Sequence, residues 1–346
     1  MRPHAVATLA LAWVLAACAP AKGLYQERIY VFGTQIDVTL WDVTEQEGRA
    51  ALAELARELE TEHLEWHAWK PGPLVALNAA LARGEAGRAT PHLARLIESS
   101  QRLSRQSEGL FDPAIGGLVR LWGFHSDEPL TGQPPPSREA IAAWVAQRPT
   151  MADLTLEGDR VRSRNPAVQL DFGAIAKGYA MDLAVARLRA LGIRNAIANA
   201  GGGMSAIGRR EDRPWRVGIR HPQGQGVIAA LELHDGEAVH TSGNYERYNE
   251  YEGIRYGHLI DPRTGTPGRE IASATVIHPD GAVADAAATA LVLAGVKGWE
   301  RIARQMGVTL AMLVDEGGTV HMPPAMAARV HFTGDAPPPV TLGAPL

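Results

Sequence analysis

The chain has 346 residues, 34 basic and 38 acidic, for a formal net charge of −4. That balance removes the electrostatic reason to expect a nucleic-acid partner. A single cysteine excludes an internal disulfide, and with only four lysines among the basic residues the position of each lysine is informative.

The first eighteen residues read as a targeting segment rather than part of the fold. Arg2 and His4 precede an apolar run, Ala5 to Ala17, shorter than the roughly 20 residues that a spanning helix needs. A basic start, a short apolar stretch and small residues before the cut make a secretory signal. Leu15-Ala16-Ala17-Cys18 also resembles the bacterial lipobox, whose cysteine is lipidated and becomes the new N-terminus. Residues 1–18 are therefore expected to be a lipoprotein signal peptide with Cys18 as the lipidation site. That places the protein on the periplasmic or other extracytoplasmic side of a bacterial cell membrane. An ordinary signal peptide with an incidental cysteine is the alternative. About 325 residues remain, enough for one large domain, expected here over 24–330, with 331–346 as a loose tail.

In chain order, Ile29-Tyr30-Val31 and Ile36 to Leu40, broken by Gly33, form a hairpin. Leu52, Leu55, Ala56 and Leu59 recur at helical spacing within residues 45–63. Thr90-Pro91 is an N-cap followed by proline at the first helical position, opening a helix that ends near Gly109. Ser126 to Pro136 is a polar, proline-rich loop, and Ser137 starts a short helix through Trp144. Leu154 to Leu156 and Arg160 to Arg162 make a second hairpin. Val168 to Asp171 reads as a strand running into a helix from about Ala174 to Leu191, stopped by Gly192. Strands are expected at Ala196–Ala198, Trp215–Ile219, Ala274–Ile277 and Thr309–Val314, and helices at Ala282–Leu293 and Gly298–Met306. Hairpins mixed with scattered helices argue for an α+β fold over a doubly wound sheet.

Three segments carry the chemistry. Asp285 and Thr289 are four apart on an alanine-rich helix and share one face. Their hard oxygens suit Mg²⁺ and not zinc, unless Asp285 merely caps the helix and Thr289 bonds back to a carbonyl. In Asp171-Phe172-Gly173-Ala174-Ile175-Ala176-Lys177, the lysine falls early in a helix, where the dipole disfavours a cation. It points to an anionic ligand or to a surface salt bridge with Asp171. His258 precedes the turn Asp261-Pro262-Arg263-Thr264-Gly265 and is either a proton acceptor or a structural histidine. No His-Glu-x-x-His zinc site, Gly-x-Ser-x-Gly elbow or Walker-type loop is present.

Together with Phe111-Asp112-Pro113, Leu121-Trp122-Gly123-Phe124, Gly201-Gly202-Gly203 and Thr241-Ser242-Gly243, these segments resemble the ApbE family of FAD:protein FMN transferases. The resemblance runs from about Tyr30 to Val320. It implies an ApbE-like α+β fold of largely antiparallel sheets with packed helices. It further implies Mg-dependent transfer of FMN from FAD to a Ser or Thr hydroxyl of a target protein, with release of AMP. The implied metal ligands are the Ala174 carbonyl and the side chains of Asp285 and Thr289. The implied flavin contacts are Phe32, Trp69, Leu110, Phe111, Asp112, Asp171, Lys177 and Ile260, with His258 as the base. Implied partners are FAD and acceptor subunits of membrane electron-transfer complexes that carry a flavinylation motif. Two departures stand out: Phe32 replaces the family's usual methionine, and Ala288 stands where some members carry a second acid. An FAD-storage lipoprotein and an FAD pyrophosphatase yielding FMN and AMP are the alternatives.

Overall fold

A computed structural model describes residues 21–126, 132–334 and 336–346; the expected signal peptide and Cys18 lie outside the described residues. The frame is a nine-stranded sheet: β1 (Gly23–Val31), β2 (Thr34–Val43), β3 (Ala196–Asn199), β4 (Gly203–Ile207), β5 (Ala238–Gly243), β6 (Ile271–His278), β7 (Leu310–Asp315), β8 (Val320–Met322) and β9 (Val340–Leu342). The strands lie side by side in chain order. Every neighbouring pair is antiparallel except β8 and β9. All other elements are insertions into this meander, which makes the fold α+β, as the hairpin-rich pattern predicts.

Four helices matter for the site: α1 (Glu45–Trp66), α2 (Pro91–Gln106), α3 (Ala176–Ala190) and α4 (Gly281–Gln305). The ends of the first two are set by local chemistry. Thr44 and Glu47 form a reciprocal capping box at the start of α1. Thr90 accepts from the Leu93 N–H at 3.2 Å with Pro91 as the first residue of α2. Helix α4 packs on β5 and β6 and against α3. Its length and apolarity would also suit a membrane span, but 78% of its most apolar stretch is buried inside the fold. The two helices expected from the sequence here form one run broken at Gly295, where φ is 67°.

Strand alternation divides the interior into two layers. Val38, Leu40, Ala198, Ala274, Val276 and Leu313 face the helices in the main core. Val239, Ile277, Met312 and Val314 face the opposite way. There a three-stranded sheet of Trp215–Arg220, Val227–Leu233 and Val330–Phe332 covers them. The face of β5 that carries His240 and Ser242 therefore looks at α4.

Two expectations are corrected. Val168 to Asp171 is not a strand; it makes only a single bridge between Gln169 and Ile115. Its backbone groups are taken elsewhere: the Asn78 amide holds both the N–H and the C=O of Leu170, and Asp171 N–H donates to the Pro113 carbonyl. The C-terminal tail is not loose over its whole length. After its proline-rich stretch, Val340–Leu342 adds to the sheet parallel to β8, and Val320 N–H donates to the Pro339 carbonyl. Proline lacks a donor, so an edge is where such a segment can join a sheet.

Candidate active site

The floor of the site rests on a coincidence of repeats. Residues two apart on a strand are about 6.7 Å apart, and residues four apart on a helix rise about 6 Å. His240 and Ser242 of β5 therefore meet Asp285 and Thr289 of α4 as two rungs. The Ser242 and Thr289 hydroxyls are 3.2 Å apart, and His240 Nδ1 lies 3.7 Å from Asp285 Oδ1. The second distance is an electrostatic contact, too long for a hydrogen bond. All four side chains are buried.

A third element completes the floor. The N–H of Gly178, in the first turn of α3, donates to Asp285 Oδ2 at 2.9 Å. Gly178 sits in the first turn, where N–H groups have no intrahelical partner, and Asp285 supplies one. Ala174 precedes the helix N-cap, Ile175, and its carbonyl accepts no main-chain hydrogen bond among the described residues. The approach is possible only because residue 178 is glycine: a Cβ there would overlap the Gly281 carbonyl and lie 2.8 Å from Asp285 Cβ. Neither structural alternative for the helix pair is realised. The N-cap of α4 is Asp280, bonded to Val283 N–H at 2.9 Å, and the Thr289 hydroxyl meets Ser242. One carboxylate, one hydroxyl and one carbonyl without a main-chain donor are hard oxygens of the kind that suit Mg²⁺. Burial alone would raise the Asp285 carboxyl, but the His240 imidazole, the Lys177 ammonium and the Gly178 N–H outweigh it and hold it below the usual range.

The rim is built from loops and from the start of α3. Lys177 makes no ion pair with Asp171, or with any other acid within 4 Å, among the described residues. Its charge acts instead on Asp285, Glu246 and His258. Asp171 is occupied otherwise, accepting from the Trp69 indole at 2.9 Å and from Gly173 N–H at 2.8 Å. His258 Nδ1 lies 3.0 Å from the Arg247 carbonyl. A carbonyl only accepts, so Nδ1 carries the proton and Nε2 keeps its lone pair. Enclosure by protein, aided by Lys177, pushes the His258 pKa down to about 4, so the ring is neutral at pH 7 although part of it remains accessible. Glu246 is exposed at the lip. The protein close to its carboxyl nevertheless pushes it up to about 7 by desolvation, against the pull of Lys177, a shift that access to water at the lip works to reduce.

The expected flavin contacts separate into two groups. Trp69 is half-buried, with His125 edge-on at 5.4 Å and the Arg120 guanidinium 5.1 Å above its ring. Phe32 is half-buried at the β1–β2 turn, where Phe32 and Gly33 both take positive φ, 57° and 66°. It stacks on Trp66 at 5.7 Å, and Trp66 lies 5.3 Å from Tyr179 of α3. Leu110, Phe111 and Asp112, by contrast, are buried. The Asp112 carboxylate, raised to about 6 by burial, accepts from the Ser104 hydroxyl and from Ala114 and Met151 N–H. Its side chain holds the fold, and the Leu110 and Phe111 N–H groups and the Phe111 carbonyl are bonded to Ser107. Ile260 packs in a satellite cluster with Leu118, Trp122 and Phe124. The Trp122 indole donates to the Gly265 carbonyl at 2.8 Å, which ties the Leu121–Phe124 motif to the turn after His258. Ala288 is fully buried on the alanine face of α4.

The ApbE family model matches residues 32–313, an interval containing every site residue described above. The chain belongs to the ApbE family. A Rhodobacter capsulatus protein named FAD:protein FMN transferase is 49% identical over 325 residues, 94% of this chain but 62% of the relative. The chain thus spans less than two thirds of that relative's length. A Klebsiella pneumoniae protein of the same name is 29% identical, covering 82% of this chain and 83% of its own. Among solved structures, the ApbE protein of Thermotoga maritima superimposes with a TM-score of 0.80 at 28% identity, covering 88% of this chain and 99% of that one. The Pseudomonas stutzeri flavinyl transferase ApbE gives 0.77 at 29%, covering 91% and 98%.

Sequence reasoning singled out Asp285, Thr289, Lys177 and His258 and named Thr241-Ser242-Gly243 as a motif without giving Ser242 a role, but it missed His240 and Glu246 as members of the site. For His240 a signal existed: it stands two residues before Ser242 on a strand that opens with apolar Ala238-Val239, so the two share a face. Glu246 had none, because its neighbours come from separate loops.

Proposed function

We propose that this ApbE family member transfers the FMN moiety of FAD to a Ser or Thr hydroxyl of an acceptor protein and releases AMP, with Mg²⁺ as cofactor. The observation that carries this reading is the buried pair of Asp285 and Thr289 on one helix face, with Asp285 bonded to Gly178 N–H four residues after the unbonded Ala174 carbonyl and the Lys177 charge acting on both Asp285 and His258. The names borne by the relatives support it.

In the reaction, the acceptor oxygen bonds to the FMN phosphorus of FAD, and the bond from that phosphorus to the bridging oxygen breaks. The acceptor's proton goes to His258 Nε2, and AMP departs with the bridging oxygen. Such a displacement depends on positioning and charge neutralisation more than on covalent chemistry. Mg²⁺ bound by Ala174, Asp285 and Thr289 would offset the negative charge of the pyrophosphate. Lys177 places a fixed positive charge beside it, and neutral His258 is poised to take a proton. The Trp69–Asp171 pair offers an aromatic face held by a hydrogen bond for the flavin ring. Lipidation at Cys18 would hold this site on the extracytoplasmic face of the membrane, facing acceptor subunits of membrane redox complexes.

Mass spectrometry on the chain lacking residues 1–18, with FAD, Mg²⁺ and a candidate acceptor domain, tests the reading. An acceptor heavier by one FMN, with AMP released, supports it. Free FMN and AMP without modified acceptor would make the protein a pyrophosphatase, and intact FAD despite tight binding would make it a storage protein.

A further inference from the structure

We infer that His240 is a positioning residue for Asp285, and that Gly203 is what makes room for it. The inference rests on the reading of Asp285 and Thr289 as metal ligands.

His240 is 1% exposed. Its Nδ1 faces Asp285 Oδ1 at 3.7 Å, while its Nε2 has no hydrogen-bond partner among the described residues. The ring is therefore not kept in place by a hydrogen-bond network of its own. It is held instead by the strand beneath it. In the β4–β5 register His240 pairs with Gly203, and a Cβ at 203 would overlap Cε1 and Nδ1 of the imidazole and lie 3.0 Å from Nε2. Gly201 and Gly202 have positive φ, 56° and 107°, but Gly203 does not. The third glycine of the run thus has no backbone reason to be glycine; its reason is the ring.

The consequence falls on Asp285. Gly178 N–H fixes Oδ2, and the imidazole edge faces Oδ1, so both oxygens are oriented before any cation arrives. Ser242, two residues along the same strand, faces the hydroxyl of Thr289 in the same way at 3.2 Å. Groups that orient metal ligands in this manner typically contribute about 10- to 100-fold in metal affinity.

The test is a Mg²⁺ titration without FAD, read by thermal shift and by calorimetry, on wild type, His240→Ala, Gly203→Ala, the double variant and His240→Asn. His240→Ala should weaken Mg²⁺ binding about 10- to 100-fold. His240→Asn, which can keep an N–H near Oδ1, should stay closer to wild type. Gly203→Ala should lose both metal-free stability and Mg²⁺ affinity, because its methyl displaces the ring. In the double variant the methyl fills the space left by the imidazole, so metal-free stability returns while Mg²⁺ affinity stays low. A double variant that binds Mg²⁺ as wild type does would make His240 a space-filler and overturn the inference. A wild type with no Mg²⁺ response at all, matching Asp285→Asn, would instead overturn the metal reading beneath it.

Discussion

The floor and the rim of this site are built by different means. The floor is two regular elements whose repeats coincide, so that His240–Asp285 and Ser242–Thr289 form buried rungs between β5 and α4. The rim is assembled from the 244–270 excursion, the start of α3 and the segments around Trp69 and Trp122, tied by local contacts such as Trp122 to Gly265 and the His258 N–H and ring to the Arg247 carbonyl. Regular periodicity gives a rigid pair of oxygen donors suited to a cation. Loops give accessible groups that can meet a protein acceptor. Substitutions in the floor should therefore damage metal binding and stability together, and substitutions in the rim should damage turnover with the fold intact.

Asp285→Ala should break the floor outright. Transfer to an acceptor, followed by mass spectrometry, should become undetectable and the Mg²⁺-dependent thermal shift should vanish. Gly178 N–H would lose its partner, at a cost of about 1–3 kcal/mol in metal-free stability. On the rim, His258→Asn should lower turnover about 10²- to 10⁴-fold, with FAD affinity and melting temperature at pH 7 near wild type. If His258→Asn also abolished the Mg²⁺ response, the division between floor and rim would be wrong.

How much of the molecule is legible in its sequence follows the same division. The spacing of Asp285 and Thr289 points to a shared helix face, and Lys177 stands out because the helix dipole disfavours it there. Hairpins, caps and most strands follow from Gly33, Thr90-Pro91, Ser137 and the alternation of apolar residues. The segment Val168 to Asp171 misleads, because an apolar run reads as a strand whether its amides pair with a neighbouring strand or, as here, with the side chain of Asn78. Leu110 to Asp112 are implicated through resemblance, and resemblance does not say that their side chains point inward. The pairing of Asp285 with His240 joins residues 45 apart, and Glu246 reaches Gly202 through a loop; no local pattern encodes either.

A smaller effect is expected at Trp69. Trp69→Phe keeps the aromatic face but removes the indole donor to Asp171. A lost hydrogen bond to a charged group is worth about 1.5–3 kcal/mol, part of which would be regained from water at this half-buried site. FAD affinity measured by fluorescence titration should fall about tenfold, while the Mg²⁺ titration should not move. A shift in the latter would mean that the Asp171 segment reports on the Ala174 carbonyl as well.

The smallest effect is a change in the pH dependence of stability, and here the two rim groups oppose each other. His258 has its pKa pushed from 6.5 down to about 4, by burial first and Lys177 second. Above 6.5 neither the folded nor the unfolded chain protonates it. Between 6.5 and about 4 the unfolded chain takes up a proton that the folded one refuses, so its contribution is lost as the pH falls. Glu246 is raised from 4.5 to about 7, by burial in the main. Between those values the folded chain holds a proton that the unfolded one releases, so stability falls as the pH rises. Urea denaturation of wild type, His258→Asn and Glu246→Gln from pH 4 to 7.5 separates the two. The groups that remain common to all three proteins, such as Glu62, Asp112 and Asp182, largely cancel in the differences. Wild type minus His258→Asn should rise with pH up to about 6.5, and wild type minus Glu246→Gln should fall with pH up to about 7. Two flat difference curves would mean that water reaching the exposed Glu246 and the half-buried His258 cancels both shifts, and that His258 accepts its proton as an ordinary surface histidine would.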